Sequence, residues 1–170
     1  MSGNKYLSNS AGRIQEVVSN QSSAGAGDAG KIPALDSTGR LDATMMPVGI
    51  GADIAIMTTS EDLTSGSFVN IWLNGGVATA RKADATTSGK EADGFVLAGT
   101  NSGGNATVYF AGQNTQLSTL TIGSRYYLAT TAGTATATAP SATGNVVQYL
   151  GRAVSATSIA FDTQAAVILA

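Results

Sequence analysis

The sequence predicts a mostly β protein: an N-terminal extended arm followed by an antiparallel β-sandwich or barrel-like domain. Three observations carry this. Short apolar runs with β-branched and aromatic residues recur at intervals of about 8–15 residues from Asp53 onward, with Gly-rich turns between them. No helical period separates them, so crossover helices and a parallel sheet are not expected. The first 48 residues differ in kind, with Ser, Ala and Gly in place of strand-like runs. The expected division is 1–48 for the arm and 49–170 for the β-domain.

Within the arm, "GRIQEVVSNQ" has Ile14, Val17 and Val18 at helical spacing. Their β-branching favours an extended segment. "SNQSSAGAGDAG" (19–30) then reads as a flexible small-residue stretch. "GKIPALDSTGRLDATMMP" (30–47) has prolines at both ends of its apolar positions. Each proline removes a donor and pushes the preceding residue toward extended backbone. "DSTG" (36–39) carries the Asp-first, Gly-last signature of a type I turn. The segment is therefore expected to run extended, turn once, and run extended again. Leu35, Leu41, Met45 and Met46 have too little chain around them to form a core and need apolar surface elsewhere.

In the β-domain, "DIAIMT" alternates. "SFVNIWL" and "GVATARK" flank Asn74-Gly75-Gly76, a strong hairpin signal. "TSEDL" (59–63) is the one candidate helical turn, with Ser60 as its cap. "DGFVLAG" and "ATVYFAG" are joined by "TNSGGN", and "SRYYLAT" and "TATATA" by a turn at Ala132-Gly133. The Thr-Ala alternation suits an exposed edge strand ending in a Pro140 turn. "NVVQYLGRAVS", "SIAFDT" and "AAVILA" complete the strands.

Composition narrows the function. Only 12% of residues are charged, the net charge is −2, and 43% are hydrophobic. A surface of hydroxyls and small residues suits a protein whose faces are covered by neighbours in an assembly. Nine scattered Lys and Arg residues give no basic stripe, so no nucleic-acid partner is expected. Without Cys there is no disulfide framework, and without His the commonest general base and metal ligand are missing. No apolar run is long enough to span a membrane, and "MSGNKYLSNSAG" lacks the apolar region of a signal peptide.

Motif matches are weak. Gly25-Ala-Gly-Asp-Ala-Gly30 fits G-x-G-x-x-G, but Pro33 and the "DSTG" turn leave no room for the helix a dinucleotide site requires. "TTSGKEAD" (86–93) puts Asp84 and Glu91 where a phosphate loop needs Gly and a hydroxyl residue. Asp28, Asp36, Asp42 and Asp53 lack calcium-loop spacing. No nucleophile–base set or carboxylate pair stands out, so the chain is not expected to be an enzyme or to carry a metal or cofactor.

"AGAGDAGKIPALDSTGRLDATMMPVGIGAD" (24–53) resembles the N-terminal arm of tailed-bacteriophage capsid decoration (cement) and head-fibre-like proteins. "SRYYLATTAGTATATAPSATGNVVQYLGRAVSA", within 94–156, is similar to the β-domain common in such virion proteins. The resemblance implies a trimeric protein on the outer capsid surface that clamps neighbouring major capsid subunits. It makes Ile32, Pro33, Leu35, Leu41, Met45, Met46 and Pro47 the expected contacts to capsid or sister chains. Trp72, Tyr126 and Tyr127 become candidates for a trimer interface, although Trp72 also suits simple packing. Tyr126 and Tyr127 are adjacent on a strand and point to opposite faces, so one of them suits the core. The alternative is a fibre or baseplate module that binds a host receptor or glycan through its loops. "TNSGGN" and "TTSGKEAD" lack the aromatics that would favour glycans.

Overall fold

A computed structural model describes residues 5–46 and 52–170. It divides into two compact units, Met1–Gly51 and Ala52–Ala170. Among the described residues there are fourteen strands, two 3-10 turns and no α-helix, and every strand pairing is antiparallel.

The first unit opens with a hairpin of β1 (Lys5–Ser10) and β2 (Arg13–Val18), in register from Lys5 opposite Val18 to Ser10 opposite Arg13. The two-residue loop Ala11-Gly12 has φ of 54° and 79°, the double left-handed geometry that matches strand twist. The stretch after it is not a flexible connector. Asn20 donates its N–H to the Ile32 carbonyl (2.9 Å) and accepts from Ala34 N–H (2.7 Å). Ser23 N–H donates to Thr44 Oγ1 (2.8 Å), which ties the Ser/Gly stretch to the far end of the segment. "DSTG" closes as expected, with Gly39 N–H on the Asp36 carbonyl at 3.1 Å. Beyond it the chain does not stay extended. Asp42 accepts from Thr44 N–H (2.9 Å) and caps a 3-10 turn over Ala43–Met45. No described residue of this unit is buried.

The second unit contains two five-stranded sheets. One runs in the order β3 (Ile54–Thr58), β7 (Asn105–Tyr109), β6 (Gly94–Val96), β4 (Phe68–Asn74), β5 (Val77–Lys82). The β4–β5 hairpin turns on Gly75-Gly76, with φ of 58° and 89°, values that cost glycine little. The other sheet runs β10 (Ala135–Thr136), β9 (Arg125–Leu128), β12 (Tyr149–Ala153), β13 (Ile159–Phe161), β8 (Gly112–Asn114). A short pair, β11 (Val146–Val147) with β14 (Val167–Ile168), ties down the last strand.

Side chains from both sheets meet in one core. Phe68, Phe95, Tyr126, Leu128, Leu150, Ile159 and Phe161 are its large members. Phe161 bridges the sheets, with its ring 6.0 Å from Phe68 and 5.4 Å, edge-on, from Phe95. The opposite face of the first sheet holds a second cluster of Leu63, Val69, Ala80, Val96, Ala106 and Val108. A parallel bridge between Thr59 and Ala80 joins the end of β3 to β5, so the sheet curls around this cluster.

That bridge corrects the expectation for "TSEDL". Residues 59–63 form no helical turn but bend at Ser60-Glu61 between two bridges, and Leu63 exchanges both backbone hydrogen bonds with Thr100 (2.8 and 2.9 Å). Ser60 caps no helix. Glu61 accepts from Lys82 N–H (2.9 Å), and Asp62 from Ser102 N–H (2.8 Å). The expected Thr-Ala edge strand is shorter than its alternation suggests. Only Ala135–Thr136 pair, at the sheet edge, because Thr136 Oγ1 then accepts from Thr138 N–H (3.2 Å) and diverts the backbone.

Candidate interaction surface

The expected arm contacts are placed at the surface. Ile32, Leu35, Leu41 and Met46 are 42–53% exposed, Pro33 is exposed and Met45 half-buried. Pro33 and Met45 are brought together, lining a shallow cavity of about 180 Å³ with Asn20, Ser23, Asp28 and Lys31. Pro47 lies outside the described residues. Sequence reading missed a further apolar set. Alternate residues of the β1–β2 register put Leu7, Ile14 and Val18 on one face of the hairpin. Leu7 and Ile14 are each 74% exposed. The periodic patch at Ile14 and Val18 was visible in the sequence, but β1 lacks β-branched residues and gave no sign of a partner strand.

Polar side chains in this unit hold turns. Asp36 accepts from the N–H (2.8 Å) and Oγ1 (2.7 Å) of Thr38, and Asp42 does the same with Thr44. The same Asp-x-Thr arrangement recurs at Asp84 and Thr86 in the second unit. The Thr38 hydroxyl, then the Arg40 and Thr38 amides, hold the Asp36 carboxyl below the ordinary range. Asp28 is drawn down to about 2 by the Ala24 amide, then by Lys31 and Asn20. These carboxylates are engaged by local donors. Gly25–Gly30 forms a 3-10 turn over Ala26–Asp28 with no helix behind it. Lys90 pairs with Asp84 at 3.0 Å, and Glu91 accepts from Gly89 N–H, so "TTSGKEAD" is a closed loop between strands.

In the second unit Trp72 is half-buried. Its indole N–H donates to Ser60 Oγ (3.3 Å), and the Arg81 guanidinium lies 4.8 Å from the ring centre. Arg81 is itself fixed by Asn70 Oδ1 (2.9 Å) and the Gly89 carbonyl (2.6 Å). Of the adjacent tyrosines, Tyr126 is the core residue. It is only 6% exposed, and its hydroxyl accepts from Thr121 N–H at 2.9 Å, so it offers no contact surface to another chain. Tyr127 lies on the opposite face, half-buried and edge-on to Tyr149 at 6.1 Å. Charged and amide side chains surround it, unlike the uncharged centre of a dry interface. Large apolar side chains of this unit are exposed on the first sheet at Ile54, Ile56, Leu73 and Val77, and away from it at Ile122, Val154, Val167 and Ile168.

No protein-family model matches the chain, and no curated protein matches it.

Proposed function

We propose that the chain is a non-enzymatic structural protein of a tailed-phage virion. In this reading it binds the outer capsid surface as a homotrimer and cements neighbouring major capsid subunits through its N-terminal unit. One observation carries the proposal: no described residue of the first unit is buried, yet Leu7, Ile14, Ile32, Leu35, Leu41 and Met46 are turned to solvent. A segment of this kind gains its apolar burial from another surface. The finer architecture belongs to the same reading. The first unit is the arm, and the second is an antiparallel sandwich whose first sheet is barrel-like where Thr59 meets Ala80.

Burying a half-exposed Leu, Ile or Met yields about 1 kcal/mol. Six such side chains give about 6 kcal/mol, comparable with the ordering cost of association. One arm alone therefore attaches weakly. Three arms on one trimer act together, and avidity raises the overall affinity without new contacts. The self-contact falls to the apolar positions of the first sheet, with Trp72 as its aromatic anchor.

The test compares the full chain with a version lacking residues 1–51. The described buried core lies wholly in 52–170, so the shortened chain keeps its fold. Both are co-sedimented with capsids of the phage that encodes the chain, and their masses are measured by sedimentation equilibrium. The full chain should pellet with capsids as a trimer, and the shortened one should stay in solution. Equal pelleting of the two would remove the arm from the mechanism.

A further inference from the structure

The outward face of the second sheet carries a cavity of about 280 Å³ lined by Arg125, Tyr127, Tyr149, Arg152, Asp162 and Gln164. A β-bulge builds it. Tyr149 pairs with Tyr127 and Gly151 with Tyr126, so Leu150 and Gly151 together oppose one residue. Without that extra residue Tyr149 and Arg152, three apart, would point to opposite faces. With it, both face outward while Leu150 enters the core. Asp162 and Gln164 are held beside them by backbone bonds to the Leu150 (3.0 Å) and Tyr149 (3.3 Å) carbonyls.

The polar capacity converging on the cavity is unused. The side chains of Arg125, Asp162 and Gln164 and the hydroxyls of Tyr127 and Tyr149 make no hydrogen bond or ion pair among the described residues. Arg152 donates one N–H to the Gly123 carbonyl (2.5 Å) and keeps the rest of its fork free. The tyrosine rings meet at 70°, so the ring that offers its edge keeps its faces clear of the other. The set mixes pure donors (Arg), a pure acceptor (Asp) and groups that do both (Gln, Tyr). A phosphate needs only donors, whereas a ring of hydroxyls needs both kinds and an apolar platform for its C–H face. Two guanidiniums against one carboxylate leave an excess positive charge, suited to bidentate contact with a carboxylate.

We propose that this cavity binds an acidic saccharide, its carboxylate on Arg125 and Arg152, its hydroxyls on Asp162 and Gln164, and its ring against the Tyr127–Tyr149 pair. Loops without aromatics argued against glycan binding from sequence, but here the aromatics come from neighbouring strands. The proposal is independent of capsid attachment, because it is read on the free protein.

The full chain, ¹⁵N-labelled, is titrated by NMR with galacturonate, glucuronate and N-acetylneuraminate, with galactose and with inorganic phosphate as separate arms. Expected are saturable amide shifts confined to residues 123–127, 149–153 and 160–164 with at least one acidic sugar. Galactose should bind about tenfold more weakly, a loss of one charge-assisted contact. Asp162 and Arg125 are exposed, so Asp162→Ala and Arg125→Gln should keep the fold and each weaken binding about tenfold. No saturable shift with any acidic sugar up to about 10 mM overturns the proposal. So does phosphate reproducing the same shifts at the same concentration.

Discussion

Gly151 sits at φ 147°, and a Cβ there would lie 2.0 Å from the Ala160 carbonyl oxygen and 2.8 Å from Ile159 Cγ2. Backbone cannot yield that distance cheaply, so β12 and β13 approach as closely as they do because this position lacks a side chain. Gly151→Ala should cost on the order of 3 kcal/mol and lower the melting temperature followed by circular dichroism. An unchanged melt would mean that the bulge is misplaced. Asp28 gives the pH counterpart. Its carboxylate accepts from Ala24 N–H and Lys31 Nζ, both at 2.6 Å, and titrates at about 2. The folded value lies below the unfolded one of about 3.9. Its stabilisation of the turn is therefore whole above about pH 4 and fades as pH falls through about 2. Carboxyl-detected NMR should place the Asp28 midpoint near 2, and a midpoint near 4 would remove the hydrogen bonds from the account. At this scale the sequence was partly legible. "DSTG" announced its turn through Asp36 and Gly39, whereas Asp42-Ala-Thr44 forms its turn through the Asp-x-Thr side-chain bond and has no glycine to mark it.

Among elements, legibility followed turn chemistry. The β4–β5 pair was readable because β-branched and aromatic residues flank Gly75-Gly76, and the β6–β7 pair because Gly-rich residues separate two apolar runs. The β1–β2 hairpin was not, because its loop begins with Ala11, a residue that holds φ 54° against its own preference. The left-handed conformation costs an alanine about 1 kcal/mol. Ala11→Asn, which creates the Asn-Gly pair favoured in such loops, should stabilise the hairpin by about that amount. Slower amide exchange across Tyr6–Ser8 and Gln15–Val17 would register it, and unchanged exchange would show that the loop does not limit the hairpin. The 59–63 misreading has the opposite origin. Ser, Glu and Asp imitate a capped helix start, but their side chains serve the backbones of β5 and the 97–104 loop, partners remote in sequence.

Across the whole molecule, the mostly β character was legible, because composition and punctuation are distributed signals. The shared core of the two sheets was not, because Phe68, Phe95 and Phe161 are far apart in sequence and meet only through topology. The Tyr127–Tyr149 cavity was hidden for the same reason, since its residues come from two strands and the segment after a third, and one of them turns outward only through a bulge. The two units also differ in what holds them. The second is closed by buried aromatics, and the first by surface hydrogen bonds, with Leu7, Ile14, Val18, Ile32, Leu35, Leu41 and Met46 exposed. One residue makes that difference optically accessible. The single tryptophan, Trp72, lies in the second unit with its indole tethered to Ser60 and capped by Arg81, while Tyr6 is the lone aromatic side chain of the first. Its ultraviolet emission thus originates in the second unit, so the chain already carries a label by which loosening of the β-body is watched.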